Sequence, residues 1–232
     1  MSRVQRVDPI VAIDGPAGSG KSTVARALAT KLGFVHVDTG ALYRAVALLA
    51  IRQKIAADDE AGLAAAMKSA RIEFRSLAAG NRLFVNGEDI SDKIRSEEVS
   101  KAASQVSAHA AVRSGLLGLQ RALGGKGGSV LEGRDIGTVV FPDADVKIFL
   151  NASPEERARR RAAELAARGA PASAAAVLAD MRERDKSDST RALSPLKKAE
   201  DATEVDTTRL SIVQVIDHIA DLVEQRKRQM RN

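Results

Sequence analysis

The sequence predicts an α/β fold in which helices flank a buried parallel sheet, and three observations carry this prediction. The chain opens with two short apolar runs, at residues 10–14 and 34–37, on either side of a segment with helical spacing. A strand–helix–strand order of this kind favours parallel strands. Hydrophobic residues make up 44% of the 232 residues and aromatic residues only 3%, so the core must be built from Ala, Val, Leu and Ile. This length suits one large core domain with small insertions.

The first helix is marked at both ends. From Lys21 the apolar residues Val24, Leu28 and Leu32 recur at helical spacing, and Gly33 is a typical C-terminal stop. After the second strand, a further helix is expected through residues 42–49.

Residues 58–98 interrupt this alternation. A short Ala-rich helix is followed by two runs with alternating apolar positions, residues 72–75 and 83–87, on either side of the turn residues Gly80 and Asn81. These features predict an antiparallel hairpin or small sheet inserted into the βαβ order.

The second half returns to the parallel core and then becomes mainly helical. Ser153 and Pro154 mark the start of a basic helical flap, with an N-cap and a proline at the first helical position. The elements expected are a helix at 110–123, strands at 129–132 and 146–150, flap helices at 157–168 and from 172 to about 184, a short strand within 201–206 and a closing helix from 211.

Composition argues against several classes of site. The chain has no cysteine and only three widely spaced histidines, which disfavours disulfides, a cysteine nucleophile and a His-rich zinc site. No run approaches the roughly 20 apolar residues of a membrane span, and residues 1–9 hold no apolar leader segment. A cytoplasmic protein without membrane contact is therefore expected.

The net charge of +6 leaves three explanations open. The arginines could be dispersed over solvated helix faces, could bind nucleic acid, or could converge on phosphates in a cleft. Aromatic residues for base stacking are scarce and no nucleic-acid recognition motif is present, so no nucleic-acid partner is expected.

Residues 15–22 match the phosphate-binding pattern G-x-x-x-x-G-K-[ST] between a predicted strand and a predicted helix, the context that separates this motif from an ordinary glycine-rich turn. Backbone N–H groups and the helix N-terminus would cradle the phosphates, Lys21 would reach the β and γ phosphates, and the Ser22 hydroxyl would bind Mg²⁺. The expected nucleoside triphosphate-binding residues are Gly15, Pro16, Ala17, Gly18, Ser19, Gly20, Lys21, Ser22 and Thr23.

The remaining question is what the triphosphate is used for. A guanine-binding N-K-x-D motif is absent, which argues against a GTPase, and the small size argues against a helicase-type motor. Small P-loop kinases remain, and such an enzyme needs a second site for its acceptor.

Further blocks of sequence resemble the bacterial cytidylate kinases. These are DTGALYR at residues 38–44, AASQV at 102–106, EGRDIGTVVFP at 132–142 and ERD at 183–185, in family order and over nearly the whole chain. The block at 133–142 is particularly specific. The resemblance implies a P-loop NTPase fold that moves the γ-phosphoryl group of Mg-ATP onto CMP or dCMP in pyrimidine nucleotide metabolism, in a monomer.

The resemblance also implies a three-part chain. Residues 1–57, 99–152 and 192–232 would form the core, residues 58–98 an inserted monophosphate-binding subdomain, and residues 153–191 a helical lid. Of the lid arginines Arg157, Arg159, Arg160 and Arg161, one or two would clamp ATP phosphates and the rest would be solvated, since all four cannot face one ligand on a helix.

The acceptor residues implied by the resemblance fit the chemistry of CMP. Guanidinium forks offset the repulsion between the CMP phosphate and the triphosphate, and a carboxylate or hydroxyl can accept from cytosine N4. With Lys21, the catalytic candidates are Arg134, Arg184 and Arg191; the CMP-binding candidates are Thr39, Tyr43, Arg44, Ser104, Arg113, Arg134, Asp135, Arg184, Asp188 and Arg191.

Simpler explanations stand beside several of these roles. Tyr43 could pack in the core, Ser104 could cap a helix, and Arg191 could serve surface solubility. Thr39 stands where the family commonly has serine, so the hydroxyl is kept but a methyl group is added. Two rival functions also remain: a P-loop kinase for UMP, AMP or a small metabolite, and a nucleotide-gated nucleic-acid-binding protein.

Overall fold

The computed structural model describes residues 6–77, 80–167 and 169–231, so residue 168 of the predicted flap and residues 1–5 of the N-terminus lie outside it. Its contacts divide the chain into two compact units, Met1–Val37 with Leu123–Asn232, and Asp38–Ala122. These boundaries differ from the three-part division expected from the sequence. Helices at residues 39–53 and 97–106 pack on each other and so group with the inserted segment.

The larger unit is built on a five-stranded sheet in the order β2-β6-β1-β7-β8. Its strands are β1 (Ile10–Asp14), β2 (Val35–Asp38), β6 (Ser129–Gly133), β7 (Val146–Asn151) and β8 (Thr203–Asp206), and its helices are α1 (Lys21–Leu32), α6 (Pro154–Ala167), α7 (Ala174–Thr190) and α8 (Ile212–Arg231). β1 pairs in parallel with β6 and β7, and β7 pairs in parallel with β8. The predicted α/β class is confirmed.

The core of this unit lies between the sheet and the helices that cover it. All five residues of β1 are buried, as expected of a central parallel strand with both faces covered. α1 and α8 pack on each other, and α8 buries Val215, Ile219 and Val223 at spacings of four. Gly33 ends α1 in the left-handed conformation at φ 69°, which confirms the predicted stop.

The smaller unit contains α2 (Thr39–Gln53), α3 (Glu60–Ser69), α4 (Glu97–Val106), most of α5 (Ala110–Gly124) and an antiparallel sheet in the order β3-β4-β5. The strands are β3 (Ile72–Leu77), β4 (Gly80–Val85) and β5 (Glu88–Asp89). The small sheet expected from the sequence is therefore present. Gly80 and Asn81 lie within β4 instead of a turn, and residues 78 and 79 lie outside the described residues.

Two helical segments differ from the sequence prediction. α7 continues to Thr190, beyond the expected end near Arg184, so Asp188 is helical and Arg191 is the C-cap. Ser104 lies inside α4 and does not precede a helix; the N-cap of α4 is Ser96, whose side chain accepts from Val99 N. Of the described helices, none combines the length and the apolar character that crossing a membrane requires.

Candidate nucleotide-binding site

The segment between β1 and α1 forms a backbone cradle at the N-terminus of a helix. Gly18 and Gly20 adopt left-handed backbone angles, with φ 73° and 92°. No side chain caps the first turn of α1, so its N–H groups are left for an anion at the positive end of the helix dipole. The local geometry is that expected of a phosphate-binding loop.

Gly15 permits a close approach that no other residue could make. A Cβ at this position would lie 2.0 Å from the carbonyl oxygen of Leu150 in β7, and φ is +151°. Gly15→Ala is therefore expected to lower the free energy of unfolding by more than the roughly 1–2 kcal/mol of backbone strain alone, measured by denaturant unfolding. Gly33→Ala is the matched control, because φ is +69° there but the space around the Cβ is open. Equal losses in the two variants would contradict the steric argument.

Lys21 lies buried over this loop, with 6% of its surface exposed. Its Nζ donates to the carbonyl oxygen of Pro16 at 2.6 Å and lies 3.4 Å from Ser19 Oγ. Burial lowers the pKa of Lys21 well below its ordinary value, and the positive charges of Arg134 and Arg184 lower it further, against the opposing effects of Glu132 and Asp14. An anion bound at the loop would relieve this electrostatic cost.

A carboxylate missed by sequence reasoning adjoins Ser22. The Ser22 hydroxyl donates to Glu132 Oε2 at 2.6 Å, and His36 Nε2 lies 3.0 Å from Glu132 Oε1. A hydroxyl and a carboxylate are oxygen ligands of the type Mg²⁺ takes, with waters and substrate phosphates completing its shell. The signal in the sequence was an acidic residue near the end of a strand next to β1.

Three of the expected arginines converge on Asp188, and two of them, Arg134 and Arg184, also lie near Lys21. Arg134 Nε donates to Asp188 Oδ2 at 2.9 Å, and Arg191 Nη1 lies 3.7 Å from Asp188 Oδ1. Burial tends to raise the pKa of Asp188, but the charges of Arg134, Arg184 and Arg191 outweigh it and hold that pKa below its ordinary value. Asp188, which was assigned to the ribose, is in this structure the common partner of the arginines.

Asp135 follows Arg134 and begins a short turn of π type, Ile136–Val140. Its side chain is buried, and its backbone carbonyl accepts from the N–H groups of Val139 and Val140. The turn places Asp135 at the carboxyl end of β6.

The predicted lid arginines are held by partners within the larger unit. Arg157 is buried: its Nε donates to Ala152 O, and its Nη1 donates to Ala17 O in the phosphate loop and pairs with Asp185 at 2.7 Å. It is therefore not one of the solvated arginines expected on this helix.

Arg160 also adjoins the loop, where its Nη1 lies 3.8 Å from the position of a Cβ on Gly20. It donates to Thr207 O at 2.8 Å. Arg159 is exposed and pairs with Glu156, and Arg161 pairs with Glu164. Arg157 and Arg160 thus both lie against the phosphate loop.

The smaller unit brings together some of the remaining candidates. The guanidinium of Arg113 lies 5.4 Å from the ring centre of Tyr43, and its Nη1 donates to Ser107 O at 2.9 Å. At the start of α2, Arg44 Nη2 donates to Oδ2 of the N-cap residue Asp38 at 2.7 Å.

Two more candidates of this unit have different surroundings. Thr39 is buried at the start of α2. Ser104 is half-buried in α4, and its carbonyl accepts from Ser107 Oγ at 2.8 Å.

Comparison with known proteins decides the family. The family model described as cytidylate kinase matches residues 11–225. The chain belongs to the cytidylate kinase family. Enzymes of this family are phosphotransferases that act on small-molecule nucleotides, and the phosphate cradle described above agrees with that class of reaction.

Curated members of the cytidylate kinase family align with the chain over nearly its full length. The cytidylate kinase of Geobacillus sp. (strain WCH70) is 52% identical and the alignment covers 93% of this chain and 96% of that protein. The cytidylate kinase of Citrifermentans bemidjiense is 51% identical over 97% of both chains. That of Bacillus subtilis (strain 168) is 47% identical over 94% of this chain and 97% of the relative.

Solved structures support the fold at lower similarity. A gluconokinase from Sinorhizobium meliloti 1021 aligns with a TM-score of 0.51 and 13% identity, over 97% of each chain. At this identity the likeness concerns the arrangement of strands and helices alone.

Proposed function

We propose that the protein transfers the γ-phosphoryl group of ATP to CMP or dCMP and releases ADP with CDP or dCDP. The observation that carries the proposal is the crowding of cations at the phosphate cradle. Lys21 lies close enough to Arg134 and Arg184 for each arginine to lower its pKa. Like charges brought together in a buried site raise the free energy of the folded protein unless anions bind among them. The triphosphate of ATP and the single phosphate of CMP, meeting end to end, would supply those anions.

The donor half of the site would hold ATP. Gly15, Pro16, Ala17, Gly18, Ser19 and Gly20 offer the backbone cradle, while Lys21, Ser22 and Thr23 begin the helix behind it. Ser22 and Glu132 would hold a Mg²⁺ ion that arrives with ATP, and this ion would neutralise phosphate charge. Arg157 and Arg160 would contact the triphosphate from the lid.

The acceptor half would grip CMP by its phosphate, sugar and base. Arg44, Arg134, Arg184 and Arg191 are proposed to meet the phosphate as guanidinium forks. Thr39 and Tyr43 are proposed to contact the same nucleotide. Ser104, Arg113 and Asp135 are proposed for cytosine, because a carboxylate or hydroxyl accepts from N4 and arginine donates to N3 or O2. Asp188 is proposed for the ribose. Residues 58–98 and 153–191 are proposed as the monophosphate-binding subdomain and the lid.

The reaction needs positioning and charge more than it needs a protein nucleophile. The oxygen of the CMP phosphate is already an anion and attacks the γ-phosphorus in line, so no general base takes a proton and no covalent enzyme intermediate forms. The transition state is loose and spreads charge over the oxygens of the moving group. Lys21 and the arginines stabilise that charge, and closure of the lid expels water that would otherwise hydrolyse ATP.

The proposal is tested by measuring ADP release with CMP, dCMP, UMP, AMP and GMP as acceptors in the presence of ATP and Mg²⁺. CMP and dCMP are expected to give the highest kcat/KM. A preference for UMP would contradict the assignment of the base-binding residues. ATP consumption that no acceptor stimulates, together with tight salt-sensitive RNA binding, would favour a nucleic-acid function instead. A cytoplasmic monomer is proposed, and size-exclusion chromatography at assay concentrations tests its oligomeric state.

A further inference from the structure

Asp14 is a buried carboxylate at the junction of the donor and acceptor elements. It is the last residue of β1 and directly precedes the phosphate loop, with 5% of its surface exposed. Its Oδ1 accepts from Ile136 N at 2.8 Å, and its Oδ2 accepts from Gly137 N at 2.8 Å. Both oxygens are therefore bound to the turn that follows Arg134 and Asp135.

These hydrogen bonds complete a two-point anchor around the acceptor residues. In the parallel register of β1 and β6, Asp14 lies opposite Gly133. The chain is thus tied to the end of β1 at Gly133 by strand pairing and at Ile136 and Gly137 by the carboxylate. Only Arg134 and Asp135 lie between the two anchors. The anchor fixes the stretch of backbone from which both side chains project.

Close packing around Gly137 limits the movement of the backbone that Asp14 anchors. A Cβ on Gly137 would lie 3.4 Å from Asp14 Oδ2 and 3.2 Å from Lys147 Cδ. Lys147 is held in turn, because its Nζ donates to Pro142 O at 2.6 Å and to Asp201 Oδ1 at 2.9 Å. Gly137 is therefore confined between a carboxylate on one side and a fixed lysine stem on the other.

We infer that Asp14 is a positioning residue that holds Arg134 and Asp135 in register with the phosphate loop, so that the acceptor is aligned for transfer. The inference rests on the proposed function, because it assigns Arg134 and Asp135 to the acceptor. Asp14 itself need not contact either nucleotide. Displacement of a reacting group by about 1 Å can lower the rate by about 10²-fold, so a fixed backbone position for Arg134 and Asp135 is expected to affect turnover.

The charged form of the Asp14 carboxylate is disfavoured by burial in the folded protein. The pKa of Asp14 is raised to about 6. Burial is the largest cause and the negative charge of Asp135 adds to it, while the two backbone hydrogen bonds and the positive charge of Lys21 oppose the rise. Asp135 and Lys21 are thus the charged groups that shift the pKa of Asp14. Protonation would turn one oxygen into a donor facing an N–H group and break half of the anchor. The anchored form consequently predominates above pH 6 and is lost as the pH falls through that value.

The inference is tested with Asp14→Asn, whose amide can accept only one of the two hydrogen bonds. Its kcat/KM for CMP is expected to fall by about 10²-fold, while the affinity for a fluorescent ATP analogue in the absence of CMP changes by less than about threefold. Asp145→Asn is the matched control. Asp145 sits at the opposite end of β1, where its carboxylate accepts from Ile10 N at 3.0 Å and pairs with Arg6. The control is expected to lower Tm without changing the KM for CMP.

A pH series separates positioning from simple support of the fold. The ratio of wild-type to variant kcat/KM is expected to fall as the pH drops from 7.5 to 5, because the wild type loses its carboxylate near pH 6. The phosphate of CMP titrates in the same range, but both proteins receive the same substrate and its contribution cancels in the ratio.

Three results would overturn the inference. These are an unchanged kcat/KM for CMP in Asp14→Asn, an equal loss of affinity for the ATP analogue, and a ratio that does not vary with pH. If Asp14→Asn does not fold, Gly137→Ala is the second variant. Its Cβ would press on Lys147 Cδ at 3.2 Å and touch Asp14 Oδ2 at 3.4 Å, so the turn must shift and the KM for CMP is expected to rise. If the wild type phosphorylates another nucleotide instead, the proposed acceptor is wrong, and the same comparison made with that nucleotide still decides the role of Asp14.

Discussion

Lys21→Ala is expected to lower kcat by about 10²–10³-fold or more, the cost of removing one preorganised charge from a site of this kind. In the structure its ammonium is held over the phosphate loop by Pro16 O at 2.6 Å. Because Arg134 and Arg184 already crowd this ammonium, its charge is poised for the anionic oxygens of a transferring phosphoryl group. Single-turnover measurement of CDP formation reports the chemical step directly.

The control for this variant is Lys31→Ala, near the C-terminal end of the same helix. Lys31 is half-exposed and pairs with Asp217, away from the loop. It is expected to keep wild-type turnover. The Tm of Lys21→Ala should change little, because the variant removes a buried cation whose charged form is disfavoured by its surroundings. Near-normal CDP formation in Lys21→Ala would show that Lys21 does not have its assigned role.

Arg134→Ala is expected to lower kcat/KM for CMP by about 10²–10³-fold, because it removes the guanidinium fork that is proposed to bind the phosphates. The same change leaves Asp188 without its hydrogen-bond partner at 2.9 Å. The pKa of Asp188 should then rise towards or above its ordinary value, since burial is the effect that Arg134 opposes. Steady-state kinetics with varied CMP separate the effect on KM from the effect on kcat.

The stability of Arg134→Ala should also depend on pH in a defined direction. A carboxyl group with a lowered folded pKa stabilises the fold above its unfolded pKa, near 3.8 for aspartate, and loses this contribution as the pH falls through the folded value. In the variant the folded pKa rises towards or above the unfolded value, so this stabilisation is already missing at neutral pH. The difference in unfolding free energy between wild type and variant is therefore expected to be largest near pH 7 and to shrink as the pH falls through the lowered folded pKa of the wild type. Denaturant unfolding at a series of pH values, followed by circular dichroism, measures this difference.

Two companion variants sharpen the test of Arg134. Arg134→Lys keeps a charge but lacks the planar fork, and is expected to recover only part of the activity. Arg159→Ala removes an exposed arginine paired with Glu156 and should leave kinetics unchanged. Equal activity in Arg134→Ala and Arg159→Ala would contradict the assignment of Arg134 to the acceptor.

Helix boundaries show where sequence reasoning stops. α4 begins at Glu97 after the side-chain cap Ser96, has two glutamates in its first turn, and buries Val99, Ala103 and Val106. The local signals were therefore present although the helix was not predicted. The continuation of α7 to Thr190 has no comparable signal. Its last turns are polar, and within them Asp188 pairs with Arg134, a partner distant in sequence.

The buried charges were the least predictable feature. In sequence Arg157 is one of four arginines on a basic helix, and a charged helix face normally points to solvent. The structure buries its side chain between Ala152, the phosphate loop and Asp185. Partners this distant in sequence leave no periodic pattern, so only the folded chain reveals them.

The sequence by itself determined the α/β class, the phosphate loop between β1 and α1, and the family blocks that name the chemistry, because each depends on residues close together along the chain. The tertiary structure alone decided three contacts between residues far apart in sequence. Ser22 donates to Glu132, and Asp188 is the common partner of Arg134, Arg184 and Arg191. Asp14 accepts from amides 122 and 123 positions away. The physical reason is that a buried charge is stable only beside particular partners, and parallel strand pairing brings those partners from remote parts of the chain.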